Sequence, residues 1–449
     1  MDIAEILAEY QVPSAVIGVL RDGRRSEFAI GVKNVETREP ATTDTVYQCG
    51  SMTKTWTALA IMQLVDEGAL DLDEPVLSYL PRFRVADAET TAGLTPRHLL
   101  QHTNGIEEAY GDPGEADDVY QRMVDNIADA PQVFPLGRTH GYSAALGYAI
   151  LARILEVHDQ ARWDDVMRAR LFDPMGLTST NSWREQVDET KAATGHLMVS
   201  ADRDPIVSPM PYLPREYGPG GNITSTVGEV LTMAHVILND GVAPNGRRIV
   251  SAESVREMKR SRVSVPDPYM FGPEWGLGLI VCDWHGETVY ATDGSTIGQN
   301  ARLRLLPDSN TAIAMLTNGS PRESCYRKVF NEILTELGSV TIPDLPAPDP
   351  TLTLDPARYV GSYGRPGTGY EVSAEAGKLY LSFAVNPVHA AVLGKPDHLR
   401  YELAAVSATN FLMLPADPAE EIQTIALYDF TDGAARYLHT NSRVHPRLG

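Results

Sequence analysis

Hydrophobic and polar positions follow two different periods along this chain. Residues 2–10, "DIAEILAEY", have the spacing of a short amphipathic helix. "SAVIGVLR" and "SEFAIGV" then flank "DGR", which predicts a β-hairpin with Asp22-Gly23 in its turn. From Ser51 onward, Leu59, Ile61, Met62, Leu64 and Val65 follow helical spacing, and Gly68 is placed to end that helix. Residues 95–157 read as mostly helical, with loops at "HTNGIEEAYGDPGEADD" and "FPLGRTHGYS". Residues 220–240 read as a Gly-rich loop feeding a further helix.

Near residue 275 the pattern changes to short apolar or alternating runs: "WGLGLIV", "TVYATDG", "NARLRLLP" and "TAIAMLTN". Their short connections predict an antiparallel meander, followed by a helix over residues 320–337. Strands at both ends with helices between predict an α+β fold. An antiparallel sheet built from both termini is flanked by helices and carries a helical subdomain, over residues 1–340. Pro343, Pro346, Pro348, Pro350 and Pro356 mark residues 341–356 as a stiff linker. After it come "RYVGSYG", "YEVSAEAGKLYLSF", "AAVLG", "YELAAVS", "FLMLP", "TIALYDF" and "ARYLHT", all strand-like. They predict a small all-β barrel domain over residues 357–449.

Charge narrows the partners. With 59 acidic against 38 basic residues the formal net charge is −21, which argues against nucleic acid and anionic membrane surfaces. Cys49, Cys282 and Cys325 are too few and too scattered for a disulfide framework or a zinc site, and no cofactor or metal is expected. The N-terminal stretch has neither a basic n-region nor a long apolar core, so the chain is read as cytoplasmic.

Within "CGSMTK", Ser51 and Lys54 stand three apart at the mouth of the apolar helix. A helix rises about 1.5 Å per residue, so the two lie ~4.5 Å apart along one face. A serine hydroxyl needs a neighbouring base and an oxyanion-stabilising pocket to act as a nucleophile, and a partly desolvated lysine can be that base. Taken alone, the spacing is weak evidence and better fits a capping serine beside a solvated lysine.

Further segments occur in a fixed order: "YQCGSMTKTWTALAIMQLVDEGALDLDEPV", "LTPRHLLQHTNGI", "FPLGRTHGYSAALGYAILARILE", "LFDPMGLTST", "GPGGNITST", "WGLGL" and "DGSTIGQNARLRLLPD". Together they resemble the serine β-lactamase and penicillin-binding-protein-like family, on its class C β-lactamase, esterase and D-aminopeptidase side, over roughly residues 10–340. The region from "DPARYVGSYG" resembles the lipocalin-like domain that often follows such hydrolases.

The resemblance implies Ser51 as nucleophile with Lys54 as its proton partner. It implies Tyr142 of "YSA" as the second member of a proton shuttle. Ala144 stands where the family's asparagine contacts the acyl-amide. Thr292, Asp293 and Gly294 occupy the third motif, with Thr292 in place of a cation. The backbone N–H groups of Ser51 and Ser295 are the implied oxyanion hole. A substrate's free carboxylate would therefore find little attraction. Outside these motifs, His140 is expected at the surface, His102 to hold a loop, and Cys49 to pack. "GPGGN" lacks the Lys and Ser/Thr of a phosphate loop.

The implied function is a serine hydrolase acting through acyl-Ser51 on an ester, thioester or amide. The alternatives are an acyltransferase or peptide-cyclising thioesterase of natural-product biosynthesis, and a catalytically inactive binding homologue. The expected partner is a small-molecule or peptide acyl substrate, with a carrier-protein-bound donor as one form.

Overall fold

The computed structural model describes residues 2–108, 111–198, 204–319, 323–385, 396–417 and 420–448. Asp2 caps helix α1 (Ile3–Glu9) by accepting the Ala4 N–H, and Ile6 and Leu7 are its buried positions. Strands β1 (Ser14–Arg21) and β2 (Arg24–Gly31) form the expected hairpin. Both turn residues are left-handed, Asp22 at φ 50° and Gly23 at φ 77°, which matches the twist of the strands.

After α2 (Thr53–Asp66), α3 (Leu146–Asp159) and α4 (Val227–Leu238) the chain returns to strands. These are β3 (Val263–Ser264), β4 (Glu274–Trp275), β5 (Ile280–Trp284), β6 (Glu287–Ser295), β7 (Asn300–Leu306) and β8 (Thr311–Thr317). Strand β1 pairs antiparallel with β8, from Ala15 opposite Thr317 to Arg21 opposite Thr311, so the two ends of this region close one sheet. Its order is β2-β1-β8-β7-β6-β5-β4-β3 among the described residues. Helix α5 (Glu323–Glu336) and α1 pack with one face, and α2 and α4 lie in the core of the other.

Helix α2 is buried on nearly every side. Its threonines keep it compatible with a dry interior by bonding to carbonyls: Thr55 Oγ1 donates to Gly278 O (2.8 Å) and Thr57 Oγ1 to Pro219 O (2.8 Å). Residues 95–157 are less helical than their pattern predicts. Among the described residues, helix there is confined to Pro96–Leu100, Val119–Asn126 and α3. Gly105, Gly111, Gly114 and Gly137 between them all take positive φ, which interrupts helix propagation.

The C-terminal region is a nearly closed eight-stranded antiparallel barrel among the described residues. Its strands are β9 (Gly361–Arg365), β10 (Thr368–Glu375), β11 (Lys378–Ala384), β12 (His398–Ala405), β13 (Asn410–Leu414), β14 (Gln423–Thr431), β15 (Ala434–Thr440) and β16 (Arg443–Pro446). A bridge between Tyr363 and Arg447 joins the last strand back to the first. The expected strand "AAVLG" lies outside the described residues, and β16 had not been foreseen.

The barrel is fastened to the α+β region by polar contacts. Arg365 forms a bidentate pair with Glu107 (2.8 and 2.6 Å), and Arg138 pairs with Asp429 (2.6 Å). Glu421 accepts the Ser324 N–H (2.8 Å) at the start of α5, and Thr424 Oγ1 donates to the buried Asp267 (2.7 Å). Phe134 packs with Tyr437 and Val444 across the same junction. Among the described residues no helix is long and apolar enough to cross a membrane.

Candidate active site

Ser51 lies in a single 3-10 turn, Gly50–Met52, that runs directly into α2. Two glycines let the end of β6 lie against this turn. A Cβ on Gly294 would fall 1.8 Å from the Cys49 carbonyl oxygen and 2.8 Å from the Ser51 nitrogen. One on Gly50, which holds φ 53°, would fall 2.4 Å from the Ser295 nitrogen. Only backbone without side chains permits this approach, and it puts the Ser51 and Ser295 amides side by side.

Lys54, one turn on, is 2% exposed. Its Nζ donates to the carbonyl oxygens of Gly220 (2.8 Å) and Ala144 (2.9 Å) and lies 3.4 Å from Ser51 Oγ. The two carbonyls account for two of the positions around the nitrogen and leave the third facing the serine. Lys54 Nζ is also 4.8 Å from the centre of the Tyr142 ring. Lys54 Nζ therefore lies between Ser51, one turn before it, and Tyr142, which is distant in sequence.

The segment 142–145 is tied down at each residue. The Tyr142 N–H donates to Ser442 O of the barrel (2.8 Å) and the Ser143 N–H to His102 Nδ1 (3.1 Å). Ser143 Oγ donates to Glu108 Oε1 (2.6 Å), and the same oxygen accepts the Ala145 N–H (3.2 Å). The Tyr142 ring packs on His102, Phe271 and Trp275, with ring centres 4.5, 5.7 and 5.7 Å away. Among the described residues no group of three or more His, Cys, Asp or Glu is placed to hold a metal ion.

A family model described as Beta-lactamase matches residues 2–334. The chain belongs to the serine β-lactamase and penicillin-binding-protein-like family. It is 40% identical over 364 residues to "Penicillin-binding protein 4" of Amycolatopsis lactamdurans, covering 80% of this chain and 95% of that protein. "Unguisins hydrolase ungD" of Aspergillus violaceofuscus is 21% identical over 441 residues, 85% of this chain and 77% of that protein. The crystal structure of SurE superposes with a TM-score of 0.80 at 26% identity, over 99% of this chain and 97% of that one. SurE has also been solved with D-Leu.

The third motif of this β-lactamase-family site departs from expectation. Thr292 and Asp293 point to opposite faces of β6, as successive strand residues must. Thr292 is buried, and its Oγ1 is hydrogen-bonded with Thr55 Oγ1 on α2 (2.9 Å), so it braces the nucleophile's helix. Asp293 does not reach the substrate side. It pairs with Arg304 and with Arg302 (3.5 Å), whose guanidiniums stack over Phe330 and Tyr326 of α5. Burial alone would raise the Asp293 carboxyl, but the two guanidiniums hold it below the ordinary aspartate value. Asp293 was expected either to bind substrate or to be a structural carboxylate, and its ion pairs with Arg302 and Arg304 favour the structural role.

His140 is buried, contrary to its expected surface position, and packs between Trp275 and His439 of the barrel. Burial, then the neighbouring His439, keeps it neutral well below the usual histidine range. His102 holds its loop at φ 56° and is likewise kept neutral, first by burial and then by His140, Lys54 and Arg443. Cys49 is buried as expected.

Three contributors went unforeseen. Gly220 supplies a carbonyl to Lys54; "GPGGN" was read as a Gly-rich loop and one of the ordered segments but given no part in the site, although its glycines signal close backbone approach. Glu108 carries no motif. Arg443, on the unforeseen strand β16, lies 3.7 Å from Glu108 at the site.

Proposed function

We propose that the protein is a serine hydrolase that forms an acyl-Ser51 intermediate from an ester, thioester or amide. The observation that carries this is the buried Lys54 Nζ, clamped by two carbonyls with its third position 3.4 Å from Ser51 Oγ. Lys54 accepts the Ser51 proton as Oγ bonds to the substrate carbonyl carbon. The oxyanion is held by the Ser51 and Ser295 amides. As the bond to the leaving group breaks, the proton passes through Lys54 and Tyr142 to that group. Water, giving a proton to the same pair, then attacks the acyl carbon; the pair returns that proton to Ser51 Oγ as the acyl–oxygen bond breaks, and the acid is released. The inactive-homologue reading is disfavoured, because all three side chains meet.

SurE resembles this chain through both the α+β region and the barrel, and it has been solved with an amino acid, D-Leu. This favours a second reading in which an amine replaces water as acceptor and an amide forms. The donor would be an activated peptide-like acyl ester or thioester, free or carried on a protein. Product partitioning tests the two readings: an acyl ester is incubated with a range of amines and amide is measured against free acid. Free acid alone at millimolar amine, across peptide-like and small donors, supports hydrolysis. Amide formation supports transfer.

A further inference from the structure

Glu107 and Glu108 are adjacent, and each faces an arginine of the barrel. Glu107 is held by Arg365 in a bidentate pair with both side chains nearly buried, 10% and 12% exposed. Glu108 lies 3.7 Å from Arg443. The two carboxylates differ in what else they hold. The Glu107 side chain holds Arg365 and accepts the Glu108 N–H (2.9 Å). Glu108 Oε1 instead accepts from Ser143 Oγ and from the Ala145 N–H, on either side of Ala144.

Ala144 is the residue whose carbonyl oxygen fixes Lys54 Nζ, and Tyr142 lies one residue before Ser143. Ser143 Oγ, having given its proton to Glu108, accepts the Gly147 N–H (2.9 Å) in the first turn of α3. A single carboxylate oxygen therefore fixes the start of α3 and the loop that carries Tyr142 and the Ala144 carbonyl holding Lys54. Loss of that oxygen leaves the Ser143 hydroxyl and the Ala145 amide without their acceptor.

We infer that Glu108 is a positioning residue for the Lys54–Tyr142 pair, and that Arg443 couples this positioning to the docking of the barrel. The inference rests on the acyl-Ser51 reading. The geometry separates Glu108 from Glu107. Removing Glu107 loosens barrel docking, whereas removing Glu108 also displaces the 143–145 loop. A displacement of about 1 Å in such a support can cost on the order of 10²-fold in rate.

The test uses the full-length protein and pre-steady-state acylation by an activated ester, with KM and the thermal midpoint recorded alongside. Glu108→Ala is expected to slow acylation by ten- to a hundredfold, an order of magnitude set by loss of orientation, with KM little changed. Glu108→Gln keeps an acceptor oxygen for Ser143 and Ala145 and is expected to recover most of the rate. Glu107→Ala is expected to stay within about twofold of the unaltered protein in rate. Equal slowing in Glu107→Ala and Glu108→Ala, or no rescue by Gln in a variant that is folded, overturns this inference alone. Failure of the unaltered protein to become acylated at all overturns the Ser51 reading and the inference with it.

Discussion

The Gly220 carbonyl oxygen accepts a hydrogen bond from Lys54 Nζ at 2.8 Å, in a turn that has no room for a side chain. A Cβ on Gly220 would stand 2.6 Å from the Ala144 carbonyl oxygen and 3.1 Å from Lys54 Nζ itself. Gly220→Ala is therefore expected to push apart the two carbonyls that clamp the lysine. Acylation of Ser51 should fall on the order of 10²-fold, while overpacking costs about 1–3 kcal/mol of stability. Stopped-flow acylation with a chromogenic ester checks this, and an unchanged rate would mean that the carbonyl clamp is dispensable.

Asp293→Asn separates structure from catalysis. The side chain lies on the α5 face of the sheet, paired with the guanidiniums of Arg302 and Arg304. Removing one partner of a buried ion pair costs about 3–5 kcal/mol. A large drop in unfolding midpoint is expected, with KM for an ester unchanged at a temperature where the variant is folded. A raised KM with unchanged stability would restore Asp293 to the substrate side.

The sequence made some of this legible and hid the rest for physical reasons. The β1–β2 hairpin, the meander and α5 announce themselves through period and turn residues, which are local properties. The S-x-x-K pair and Tyr142 were readable because side-chain chemistry has to sit on those residues. Glu108 and Ser442 were not: Ser442 accepts through its carbonyl, which leaves no mark on residue type, and the Glu108 carboxylate serves donors on Ser143 and Ala145 that are distant in sequence. Arg443 was hidden because its neighbour Glu108 is more than 300 positions away, with β16 too short to give a period. Asp293 was ambiguous because strand alternation is known only once the register is fixed. The helical overreading of residues 95–157 has a similar origin: apolar side chains there serve an irregular, buried layer.

The junction between the two regions should respond to pH through Asp267. Burial pushes its carboxyl up to about 6, an effect only partly offset by bonds from Thr424 and the Tyr269 N–H. A carboxyl whose folded pKa is raised contributes stability that is fully present below its unfolded value and lost as pH rises through the folded one. The window here runs from about pH 4 to pH 6, and the ionised form costs roughly 2–3 kcal/mol above it. Asp267→Asn is expected to raise the thermal midpoint at pH 8 and to leave it nearly unchanged at pH 4.5. A stabilisation equal at both pH values would show that the carboxyl is not buried as described.

β-Lactam turnover should be poor. Ala144 offers no side-chain amide, and Thr292 is committed to Thr55 and carries no charge. Hydrolysis of penicillins and cephalosporins is expected well below ~10 s⁻¹, the median kcat of enzymes in general. A chromogenic cephalosporin assay measures it directly, and turnover above that value would mean that neither departure matters.

The central claim is a covalent acyl group on Ser51. Its most direct measurement is intact mass after brief incubation with a serine-directed fluorophosphonate or an activated ester, followed by mapping of the modified peptide. A single adduct on the peptide containing Ser51, absent from Ser51→Ala, is the expected result. An adduct that persists in Ser51→Ala, or that maps to another residue, would contradict it.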